Sequence, residues 1–165
     1  MTDLKIYIAA FLLLFFGCQT ESGKNFSVKE IPTPCKKGAA PNLHTSDEGE
    51  VYLSWVEYLN DSTDALRFSK FENEAWSAPK EIAHGTDWFV NWADFPSVVS
   101  RPGGKGLAAH WLQKSAGGTY DYDVRISQSA DGEKWSKSFI PHRDSIAAEH
   151  GFVSMLPLSK DRIFA

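Results

Sequence analysis

No extended run of lysine or arginine occurs in this sequence, and its 17 basic residues are outnumbered by 21 acidic ones, for a formal charge of −4. A chain that grips a phosphate backbone normally carries a basic patch, so nucleic acid is excluded as a partner. Long segments of 3.6-residue apolar periodicity are also missing after the first twenty residues, which argues against a helical fold. The five histidines show no short ligand spacing and point to no zinc site. "RPGGKG" (Arg101 to Gly106) is glycine-rich, yet no Lys-Ser/Thr pair or helix follows it, so it reads as a hairpin turn rather than a phosphate loop. What is abundant is aromatic surface: 13% of the 165 residues, including six tryptophans, ample for one folded domain.

The chain opens "MTDLKIYIAAFLLLFFGCQT". An apolar run from Ile6 to Phe16 is too short to span a bilayer comfortably and has the length of a signal-peptide core. Gly17-Cys18 directly after it resembles the lipobox of bacterial lipoproteins, although Phe15 and Phe16 depart from the usual Leu and small residue. The resemblance implies cleavage before Cys18, lipidation of its thiol, and an exported protein held at a membrane, periplasmic or at the cell surface. With Cys18 acylated, Cys35 has no intramolecular partner, and no disulfide framework exists. Residues 1–17 are thus read as the signal helix and 18–38 as a polar, Pro-containing tether.

From residue 39 the sequence repeats. Pro41 aligns with Pro96, 55 residues on, and Trp55 with Trp111, 56 on. "LRFSKFENEAWS" resembles "VRISQSADGEKWS", so that Arg67 matches Arg125, Ser69 matches Ser127 and Trp76 matches Trp135; His84 and His142 also correspond. Each copy holds short β-branched and aromatic runs divided by Gly, Pro, Asn and Asp clusters. Four strands per repeat of this length predicts all-β architecture of the β-propeller kind, with copies at about 39–90, 91–146 and 147–165. About two and a half four-stranded blades are present. Such a number cannot close a ring, so a longer protein is expected, an inactive fragment being the alternative.

"SADGEKW" fits a tight turn between two strands: Ser129 and Asp131 supply side-chain acceptors, Gly132 tolerates positive φ, and Trp135 returns apolar surface for packing. The segment resembles the Asp-box of sialidases and other BNR-repeat proteins, which lies away from the active site in that superfamily. The likeness extends over 39–165 and includes "DWFVNWADFPSVV" and "EHGFVSMLPL". It implies a surface glycosidase of exo-α-sialidase type acting on glycans, or a propeller that binds glycan or protein without chemistry.

The family's first substrate-carboxylate arginine would fall at Ala39, so that arginine is missing. Its repeat equivalents are Asp94 and Glu149, which would repel a sialic-acid carboxylate. They could serve as acid/base pair on a neutral glycan, ligate a hard cation such as Ca²⁺, or merely cap strand ends. The family's acid/base aspartate falls in "EYLNDSTDALRF", offering Asp61 and Asp64, although any solvated hairpin looks similar. Trp88, Phe89 and Trp92 have no repeat counterpart; they suit stacking on sugar faces or pinning a long loop. His150, beside Glu149, is a candidate member of the same substrate-binding site.

Overall fold

The computed structural model describes residues 26–104, 106–159 and 161–165. The chain divides into Met1–Glu30 and Ile31–Ala165. In the first unit, residues 26–30 are exposed and without regular structure. The signal segment and Cys18 lie outside the described residues. Among the described residues no helix is long and apolar enough to cross a membrane.

The second unit is all-β, built from antiparallel sheets, none of them closed on itself. The first sheet takes β1 (Gly38–Thr45), β2 (Val51–Tyr58), β3 (Asp64–Glu72) and β5 (Lys80–Gly85) in that spatial order, with the two-residue β4 (Ala75–Trp76) on the end of β3. The second sheet is β6 (Ser97–Ser100), β7 (Leu107–Lys114) and β8 (Tyr122–Ser129). A separate hairpin pairs β9 (Leu156–Ser159) with β10 (Arg162–Phe164). Alternation fixes the register, because a one-residue slip would turn each buried set to the other face.

The two sheets repeat this register residue for residue. Trp55 lies opposite Arg67 and Leu53 opposite Ser69 in the first. Trp111 lies opposite Arg125 and Ala109 opposite Ser127 in the second. The strand ends correspond too. Ser77 N donates to the Lys70 carbonyl while Ser77 Oγ accepts from Lys70 N; Ser136 makes the same pair of bonds with Gln128. The outer strands differ: β1 runs eight residues and β6 four. In place of β4 and β5 the second sheet has isolated pairings, Ser129 with Trp135 and Ile126 with Phe139.

The principal core lies between the sheets. Tyr52, Leu66 and Phe68 of the first pack with Val98, Leu107, Ala109 and Trp111 of the second, and Trp88 and Trp135 pack against this set. The opposite face of the second sheet buries Leu112, Tyr122, Val124 and Ile126, joined by Phe89 and Val153. Both faces of the second sheet are therefore apolar, as the near-continuous burial of β7 requires. First strands stand side by side: β6 packs against β1, and His44 Nε2 of β1 accepts the Ser100 N–H of β6 at 3.0 Å.

Candidate functional site

Asp94 is set by a local turn. In "NWAD" the Asn91 side-chain oxygen accepts the backbone N–H of Ala93 and of Asp94, at 2.7 and 2.8 Å, curling the chain so that Asp94 turns inward. Asp94 is 3% exposed. One of its oxygens accepts from Phe152 N at 2.9 Å, and the other faces the Tyr122 hydroxyl at 3.3 Å. The same hydroxyl donates to Glu149 Oε1 at 2.8 Å. One proton thus serves two carboxylates, and the shorter distance gives it to Glu149. Burial first, and the two carboxylates second, push the Tyr122 phenol well above its ordinary range, so it stays a protonated donor. Phe89 stacks on its ring at 4.1 Å between centroids.

Space here is tight enough to require glycine. A Cβ at Gly151 would stand 2.0 Å from Asp94 Oδ2 and 2.9 Å from the Tyr122 hydroxyl. Beyond Gly151, Phe152 adopts left-handed backbone (φ 57°) while its ring remains exposed. The hydrogen bond to buried Asp94 helps hold that uncommon conformation. An open cleft runs beside it, lined by Asn42, His44, Asp94, Phe95, Ser97 and Phe152 among others. His44 sits there with its imidazole pKa lowered, chiefly by burial.

The other residues singled out in the sequence fall in distinct places. Asp61 is exposed in the turn after β2; Asp64 begins β3, half-buried, and burial raises its carboxyl pKa. Neither lines the Asp94 cleft. Trp88 stacks on Trp111 (centroids 5.5 Å apart, 21° between planes), so its indole is largely committed to packing. Trp92 is 87% exposed. In the 129–135 turn, Ser129 Oγ accepts from Gly132 N at 2.8 Å, and Asp131 Oδ1 accepts from Glu133 N and Lys134 N, both at 2.9 Å. Those bonds hold the Asp131 carboxyl below its ordinary pKa. Gly132 has φ 73°, and Trp135 meets Phe68 edge-on across the inter-sheet core.

His150 belongs to a second cluster, next to the first. Its backbone N–H donates to the Tyr122 carbonyl at 3.1 Å, which sets it beside Asp123 on β8. The His150 and His142 rings stack in parallel, 3.7 Å apart and 10° from coplanar. Asp123 Oδ1 lies 3.3 Å from His142 Nε2 and 3.3 Å from His150 Nδ1. Asp144 takes the remaining ring nitrogens, His142 Nδ1 at 3.2 Å and His150 Nε2 at 3.1 Å. The bond to Asp144 is the main reason that the His150 pKa is raised.

The sequence had signalled Asp94, Glu149 and His150 but not Tyr122, Asp123 or Asp144. Tyr122 reads there as one more aromatic in a strand. Asp123 and His142 are far apart in the chain, and only strand pairing brings them together. No family model, curated protein or solved structure matches the chain.

Proposed function

We propose that residues 39–165 form part of a sialidase-like, Asp-box β-propeller, carried at a membrane through a lipid on Cys18, and that its cleft binds glycans. The recurrence of one register in successive sheets supports the propeller, as does the lateral approach of β1 to β6 and of β6 to β9. The hydrogen bonding of the 129–135 turn suits an Asp-box. The observation that carries the functional reading is the cleft itself: exposed rings of Phe95 and Phe152 flank a polar base that contains Asp94 and Ser97. Apolar rings beside fixed acceptors match the alternating apolar faces and hydroxyl edges of a sugar.

Binding is favoured over hydrolysis by the state of Asp94. A general acid must reach the glycosidic oxygen, yet Asp94 is almost wholly buried with both oxygens engaged. Glu149 is exposed but held by Tyr122, whose protonated, buried hydroxyl is no nucleophile. Acidic residues at this position favour neutral over sialylated glycans.

The test is titration of the full chain with neutral and sialylated oligosaccharides, read by tryptophan fluorescence. Neutral glycans are expected to bind, and Phe152→Gly, which removes a ring and relieves left-handed backbone, is expected to abolish binding without loss of fold. Hydrolysis of aryl glycosides that disappears in Glu149→Gln would replace binding with an enzyme. Absence of both activities would sink the glycan reading.

A further inference from the structure

We propose that Asp123, His142 and His150 form a three-ligand site for a divalent first-row cation, with Zn²⁺ the natural fit, and that Asp144 is the outer carboxylate that sets both imidazole tautomers. The site is separate from the glycan reading and does not depend on it.

Asp144 can only accept, so the ring nitrogens that face it, His142 Nδ1 and His150 Nε2, carry the N–H groups. In a neutral imidazole the other nitrogen is then a bare lone pair. Those nitrogens, His142 Nε2 and His150 Nδ1, are both buried and both without a hydrogen-bond partner. Each faces the same oxygen of Asp123. With both rings neutral, these three electron-rich atoms, within 4.8 Å of one another, repel unless a proton or a metal cation lies among them, so the metal competes with protons for the site.

The dimensions suit a metal. Ligand atoms about 2.0–2.1 Å from a tetrahedral centre stand about 3.3 Å from one another, the separation found from Asp123 to each histidine. Two imidazoles and one carboxylate are a borderline donor set that suits Zn²⁺ and its neighbours better than Ca²⁺ or Mg²⁺. Metal-bound histidines typically give their second N–H to a carboxylate, and here one aspartate serves both rings. Three protein ligands leave a coordination position for water.

The surrounding backbone holds these groups in place. Phe139 and Ile126 exchange both backbone hydrogen bonds at 2.9 Å, which anchors the segment leading to His142. Tyr122 N donates to the Ala148 carbonyl, and His150 N donates back to Tyr122, which anchors the segment's other end. A cation would therefore tie residues 142–150 to the start of β8, where the second sheet has no full fourth strand.

Equilibrium titration of the full chain with Zn²⁺, together with the visible spectrum of its Co²⁺ form, tests the site. One ion per chain is expected, with a nitrogen–oxygen Co²⁺ spectrum free of thiolate charge transfer. His142→Gln and His150→Gln should each weaken binding at least about 100-fold, and Asp144→Asn about 10- to 100-fold. No binding at millimolar Zn²⁺, or binding unchanged in both glutamine variants, would overturn the assignment. If a variant fails to fold, zinc X-ray absorption of the unaltered chain decides. Two imidazoles near 2.0 Å sustain the site, and any other shell refutes it.

Discussion

His110 should make this protein lose stability in mild acid, by an amount that can be worked out in advance. It lies in the middle of β7, wholly buried, with Nδ1 3.0 Å from Ser97 Oγ and Nε2 unpaired. Burial pushes its pKa down to about 4, and the Phe95 backbone offsets only part of that. An imidazole in the unfolded chain titrates near 6.5. Between those values the unfolded chain takes up a proton that the folded chain refuses. Stability from this group is therefore complete above about pH 6.5 and is lost as pH falls toward about 4. The full effect is about 3 kcal/mol, of which about 2 kcal/mol is lost between about pH 7.5 and about pH 5.

Urea unfolding followed by tryptophan fluorescence at those two pH values measures it. Other groups also titrate: the lowered pKa of His44 adds loss in acid, and the raised pKa of His150 acts in the opposite sense. A His110→Gln variant retains both, so the difference in pH dependence between wild type and variant isolates His110. The wild type should fall by about 2 kcal/mol more than the variant. Equal pH dependence in the two proteins would mean that the buried His110 is not held below its ordinary pKa, as would an NMR titration of His110 centred near about 6.5.

Gly151→Ala should destabilise the fold by about 1–3 kcal/mol, because the new methyl would overlap Asp94 Oδ2 and press on Tyr122; denaturant unfolding reads the loss. Asp131→Ala should lower the denaturant midpoint only slightly, because water can replace the acceptor that Glu133 N and Lys134 N lose at this exposed turn, with glycan and Zn²⁺ titrations unchanged.

The β architecture was legible because its signals are local. Alternation in "VYLSWVEY" and "YDVRISQS" marks strands whose two faces meet different surroundings, and the recurring Trp, Arg and Ser predict a register that the cross-strand pairs show twice. The sites were only half legible. Asp94 and Glu149 stand out because they occupy the position of Ala39, but their common partner Tyr122 arrives from β8 and has no local mark. The histidine cluster was hidden for a related reason. His84 pairs with Ala65 in the first sheet, while His142 at the matching place faces Asp123, so the two histidines look alike only until their partners are compared. Similarly, Asp64 heads β3 where Tyr122 heads β8. Residues common to both copies are those that any such sheet needs to pair and pack. Residues that break the repeat at the head of β8, Tyr122 and Asp123, are released from that requirement, and each stands at the centre of one of the two polar clusters. In a repeated scaffold the differences between copies, more than their likeness, locate the chemistry.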